Sequence, residues 1–165
     1  MAAVYSLPAD IGANGSPFKN CSGAGPAYTC TNKVDIKGGD TVILTGNVTL
    51  NLTGNNEFKV SPGGNVDNSG FVFNVSAGKI HIDGTGSVVM DSLTASGDII
   101  IHKQANLTGD VTSTGGDIVI SDGNNTIVGN IDAQNGDVTI EDGNNLIDGN
   151  VTANGGNGNL AIDGT

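Results

Sequence analysis

The chain has 165 residues, of which 27 are glycine and 21 asparagine; tryptophan and arginine are absent and aromatics make up 4 %, so a core of large aromatic side chains is excluded. Six lysines face 17 acids, a net charge of −11, which argues against nucleic-acid binding and against an anionic membrane surface, since both need clustered cations. No run of sequence approaches the roughly 18–20 apolar residues of a membrane-spanning helix, so no membrane insertion is expected.

The first segment, 1–31, holds Pro8, Pro17, Pro26, both cysteines and both tyrosines. Cys21 and Cys30 bracket a Gly/Ser/Pro-rich loop, CSGAGPAYTC, and are expected to form one disulfide in an oxidising compartment. No C-x-x-C motif supports a redox or zinc reading. The opening MAAVYSLP lacks a basic segment followed by an apolar one and is not a signal peptide, so either the chain is intracellular or the leader of an exported chain lies outside this sequence, and the cysteine pair favours the second. The segment reads as an N-terminal cap, with Tyr5, Phe18 or Tyr28 plugging the core.

From residue 32 to 165 the sequence repeats. GDVTSTGGDIVISDGNNTIV (109–128) is followed by GNIDAQNGDVTIEDGNNLID (129–148) and GNVTANGGNGNLAIDG (149–164). One apolar pair at i and i+2 marks each repeat: Val34/Ile36, Phe58/Val60, Ile80/Ile82, Ile99/Ile101, Ile118/Ile120, Val138/Ile140 and Leu160/Ile162, at steps of 24, 22, 19, 19, 20 and 22 residues. A second series holds Val42/Leu44, Val66, Val88, Leu107, Ile127 and Ile147; a third holds Leu50/Leu52, Phe73/Val75, Leu93, Val111, Ile131 and Val151. Residues at i and i+2 share one face of a strand, and Gly, Asn or Asp falls at the corners, where positive φ or an Asx turn is needed. Three short strands per repeat of about 20 residues predict an all-β, single-stranded parallel β-solenoid of about seven rungs with an N-terminal cap. Stacked coils would bury Ile on Ile at about 4.8 Å spacing, so small branched residues suffice for the core.

Toward the C-terminus residues 104–165 carry nine acids and no base. The rung at Leu160–Ile162 shows no cap, so continuation by further chain or stacking on a partner is expected there.

The opening VYSLPADIG, GSPFKNC and YTC, then TVILTGNVTLNL and the repeated GNVTA-NGG-hydrophobic-DGNN units, resemble MshQ-like proteins, surface proteins associated with the mannose-sensitive haemagglutinin type IV pilus of Gram-negative bacteria. The resemblance implies an exported, pilus-associated or adhesin-like protein with no known chemistry, and it supplies no binding residue. The coils are also similar to those of bactofilins, cytoskeletal polymers that generally lack a disulfide-bearing cap.

Candidate chemistry is sparse. His81 and His102 are the only histidines and are expected to point outward; Asp83 lies near His81, an arrangement read as a corner acid beside a surface histidine rather than a catalytic pair. A polyuronate lyase would need arginine or lysine against its developing charge, and no arginine is present. Asp98, Asp117 and Asp137 are expected to stack at one corner, followed by Asn157, with Asp122 and Asp142 at the next and Asp163 close to it. Stacked carboxylates repel and would be relieved by Ca²⁺, so calcium is the one cofactor considered. Asn124 and Asn144 are candidates for an inward asparagine ladder. Two outward columns, Asp35–Lys59–His81–Ile100–Val119–Thr139–Ala161 and Asn51–Asn74–Thr94–Thr112–Asp132–Thr152, are not the unbroken threonine ranks that ice binding would want. Ile100 and Val119 make a small outward apolar spot and, with Leu160 and Ile162, are the candidate interface residues.

The expected function is a non-enzymatic, exported spacer or adhesive module meeting a surface glycan or protein receptor. The alternatives are end-to-end self-association into filaments and, least favoured, a carbohydrate-active enzyme.

Overall fold

The structure, a computed structural model, describes residues 2–155 and 158–162. The chain winds through 22 strands and, among the described residues, no helix. The first coil holds β1 (Val4–Leu7), β2 (Cys21–Ala24), β3 (Ala27–Cys30) and β4 (Val34–Ile36). The second holds β5 (Thr41–Leu44), β6 (Val48–Leu52) and β7 (Glu57–Val60), and the third β8 (Asn65–Asp67), β9 (Phe73–Ala77) and β10 (Lys79–Asp83). Then come β11 (Val88–Met90), β12 (Leu93–Ala95) and β13 (Ile99–His102), followed by β14 (Ala105–Leu107), β15 (Val111–Ser113) and β16 (Ile118–Ser121). The last two coils are β17 (Thr126–Val128), β18 (Ile131–Ala133), β19 (Val138–Ile140) and β20 (Leu146–Asp148), β21 (Val151–Ala153), β22 (Leu160–Ile162).

These strands form three sheets along the rod. Sheet I runs β1-β5-β8-β11-β14-β17-β20, sheet II β2-β3-β6-β9-β12-β15-β18-β21, and sheet III β4-β7-β10-β13-β16-β19-β22. Every pairing is parallel except β2 against β3. The molecule is thus a parallel β-solenoid of about seven turns with three strands per coil, as the repeat spacing predicts. At about 4.8 Å per coil the stack is roughly 30 Å long.

Register follows the apolar pairs. In sheet III Ile80 opposes Ile99, which opposes Ile118, and Ile82, Ile101 and Ile120 follow two residues on; all six are at most 1 % exposed. Alternation along each strand sends these side chains inward and their neighbours outward. Each coil alone would leave its apolar face in water, so the core exists only through stacking.

The ladder reaches back to Val4, because β1 and β3 already pair with β5 and β6. The residues between β1 and β3 are an excursion that folds over the open end. It brings Phe18 into the core at 0 % exposure beside Leu7 and Tyr28, while Tyr5 packs against the cluster half-buried. Cys21 stands directly opposite Cys30, and the two form a disulfide that fastens β2 onto β3.

Corners carry Asp and Gly as expected, and use them in two ways. At the two DGNN corners positive φ is carried by Asp122 (59°) and Asp142 (49°), not by glycine alone. Gly136 has no positive φ; a Cβ there would collide with the carbonyl oxygen of Gly116 in the coil beneath. Glycine is used at this corner for close approach of backbone to backbone.

Candidate functional site

The corner column expected from sequence is present. Asp98, Asp117 and Asp137 precede the first inward residues of β13, β16 and β19, so the stacking of the coils brings them into line. Their carboxylates are turned to the chain itself: Asp98 Oδ1 accepts the Asp117 N–H (3.3 Å), Asp117 Oδ1 the Asp137 N–H (2.9 Å), and Asp137 Oδ1 the Asn159 N–H (2.8 Å). Asp98 also meets Lys79 Nζ at 3.2 Å, an exposed pair and the one ion pair among the described residues. The repulsion anticipated between stacked acids is therefore offset by backbone donors from the next coil. The last step of the column is Asn159, because Leu160 opposes Val138; Asn157 and Asp163 lie outside the described residues. Among the described residues no group of three or more His, Cys, Asp or Glu is placed to hold a metal ion.

The same device recurs with asparagine. Asp110 Oδ1 accepts the Asn130 N–H, Asn130 Oδ1 the Asn150 N–H, and Asn74 Oδ1 the Ser92 N–H. An Asx side chain just before a strand (Asp110, Asn130) or near its start (Asn74 in β9) thus satisfies the amide of the coil above, a role the sequence pattern did not point out. Its signal was available: Asp or Asn recurs at one-coil spacing at 110, 130 and 150, and at 74 with Ser92 as the one interruption.

The inward asparagines are Asn125 and Asn145, one residue later than expected. Asn124 and Asn144 are exposed and meet each other at 3.4 Å. Asn125 is fully buried: its Oδ1 accepts the Ala105 N–H (3.1 Å), and its Nδ2 donates to Ser121 O (3.2 Å) and Asn145 Oδ1 (2.9 Å). Positive φ at Asp122 shifts the phase of the corner, so the second asparagine of DGNN turns inward.

The histidines share the outer face of sheet III. Asp83 opposes His102 in register, and the rings of His81 and His102 meet edge-on at 5.8 Å between centroids. His81 Nε2 is buried with no hydrogen-bond partner. Burial first, then Lys59, holds its pKa below the usual value, against the opposing pull of Asp83. An imidazole so placed stays neutral near pH 7, and its ring neighbour is His102 rather than the Asp83 carboxylate.

The outward column of sheet III matches the expected one residue for residue. Ile100 and Val119 are adjacent and half-buried, and two side chains fall well short of the few hundred Å² that mark an interaction patch. In sheet II the expected column slips at one place. Val75 opposes both Leu50 and Leu93, so Ser76, not Asn74, stands between Asn51 and Thr94. The corrected rank, Thr29–Asn51–Ser76–Thr94–Thr112–Asp132–Thr152, is still broken by Asn51, Ser76 and Asp132. At the last described coil Leu160 and Ile162, in line with the core pair Val138/Ile140, are 48 % and 64 % exposed.

A cleft of about 480 Å³ opens beside β4, under the excursion, with Lys19, Lys33 and Lys37 in its wall. No family model, curated protein or solved structure matches the chain.

Proposed function

We propose that the chain is a non-enzymatic, exported module of a bacterial surface protein, a stiff rod that spaces or presents an adhesive surface in a pilus-associated assembly. The observation that carries this reading is the unbroken stack itself: three continuous ladders in which even corner side chains are consumed in holding coil to coil. Carboxylates bound to backbone amides are not poised as acids or bases. The disulfide between Cys21 and Cys30 fits an oxidising compartment, and the resemblance to MshQ-like proteins supplies the pilus association. Net charge of −11 keeps such rods apart in solution.

A second reading is end-to-end association through the last described coil, favoured by the exposure of Leu160 and Ile162 on β22, the outermost strand of sheet III among the described residues. The test of both is a pair of assays on the purified chain. A glycan array and a polysaccharide-hydrolysis panel should show no turnover, whether or not a glycan is retained; turnover of any polysaccharide overturns the module reading. Electron microscopy across a concentration series should show single short rods; filaments of the rod's width would transfer the conclusion to the second reading.

A further inference from the structure

The lysine-walled cleft is the feature that the rod reading leaves unused. Three of the six lysines in the chain lie there, and among the described residues none of the three makes an ion pair. Two carboxylates share the site, yet both are engaged by the chain: Asp40 Oδ1 accepts the Ala3 N–H at 2.9 Å, and Asp35 Oδ1 accepts the Ser61 hydroxyl at 2.9 Å. Tyr5 adds a phenol; burial first, then Asp40 and Asp10, pushes its pKa up, so it remains a hydroxyl donor. A volume of this size lies within the range of about 300–1,000 Å³ typical of ligand sites.

The cleft also borders a strand edge that is unpaired among the described residues. β4 is the outermost strand of sheet III, with β7 as its one neighbour. Ile36 O accepts the Ser61 N–H, so Val34 and Ile36 turn their amides toward β7. Alternation along a strand then turns Asp35 N–H and C=O the other way, toward the cleft. Sheet II is different at this end, because β2 already covers the edge of β3. The result is one main-chain donor and one acceptor, those of Asp35, flanked by the exposed Lys33 and Lys37, whose own N–H and C=O are held by Asn32 Oδ1 and the Asp40 N–H respectively, in a molecule that is otherwise strongly acidic.

We propose that this cleft binds an extended peptide segment carrying carboxylate side chains, which adds as a strand to the free edge of β4 while Lys19, Lys33 and Lys37 hold its acidic residues. Main-chain bonds to the edge supply register, and the ammonium groups supply selection for acidic over basic strands. The proposal does not rest on the spacer reading, since a strand site of this kind serves a rod, an adhesin or an assembly intermediate equally.

The test is titration of the whole chain, disulfide intact, with a capped fluorescent peptide of alternating Val and Glu. Saturable binding is expected, weakening as salt rises. The Lys33→Glu/Lys37→Glu variant should lose on the order of ten-fold or more in affinity while its melting temperature stays that of the parent, because both lysines are exposed. N-methylation of the alternate amides that face β4 should abolish binding while methylation of the other set should not, and a Val/Lys peptide should not bind. Absence of binding by the Val/Glu peptide, binding that survives both N-methylated registers, or lysine-dependent binding of oligogalacturonate in place of the peptide would each overturn the proposal.

Discussion

Replacing Asn125 probes the one fully buried asparagine side chain among the described residues. Its three hydrogen bonds are unequal in consequence. Ser121 O keeps a second donor, the Lys103 N–H at 3.3 Å, and Asn145 is half-buried and open to water. The Ala105 N–H has no such alternative, because Ala105 is 1 % exposed and Asn125 Oδ1 is its acceptor. Asn125→Ala therefore leaves one orphaned buried donor, a loss of about 1–3 kcal/mol, with a small void in addition. Taking about 2 kcal/mol and the usual 2–4 °C per kcal/mol for a chain of this size, melting should fall by roughly 4–8 °C. Amide exchange at Ala105 should accelerate more than at amides two coils away. Asn125→Asp keeps the acceptor but loses both donations and buries a carboxyl, whose folded-state pKa is raised. Its stability should approach that of the parent below about pH 4 and fall as pH rises through the shifted value. If Asn125→Ala melts with the parent and Asn125→Asp shows no pH dependence, the inward asparagine is not a structural bond and the reasoning fails.

Three further expectations follow from the same fold. Ile101→Ala, at 0 % exposure in the middle coil, should cost about 2–5 kcal/mol, and calorimetry should show it weakening both neighbouring coils. Reducing the Cys21–Cys30 bridge, whose partners are 9 apart in sequence, should cost roughly 2.5 kcal/mol and raise exchange at Phe18 before any effect beyond β7; a uniform loss along the rod would contradict the cap assignment. His81 has a lowered folded-state pKa, so below about pH 6.5 the unfolded chain binds the extra proton and stability falls with pH; His81→Gln should flatten that slope, with the imidazole titration followed by NMR.

The solenoid was legible because its core obeys one strong rule: Ile99/Ile101 and Ile118/Ile120 can share a face only as strand residues, and their 19-residue step can align only by stacking. The cap was legible in part, through the prolines, the cysteines and Phe18. The polar details were not. Sequence spacing places Asp117 above Asp98 but does not say whether a carboxylate faces its neighbour or a backbone amide. A single positive φ at Asp122 moved the inward position from Asn124 to Asn125. A five-residue strand, β9, offered two outward positions, and only pairing with β12 decides that Ser76 continues the rank. The cleft beside β4 escaped notice because its lysines come from the excursion and the first coil, segments with no repeat to align.

The proposal of a disulfide-capped rod displayed outside the cell is tested most directly on intact cells of the organism that encodes the chain. Protease should release peptides of the solenoid without lysis, and a thiol reagent should leave Cys21 and Cys30 unlabelled until a reductant is added. A chain that is protected from external protease and carries both cysteines as free thiols would contradict the account.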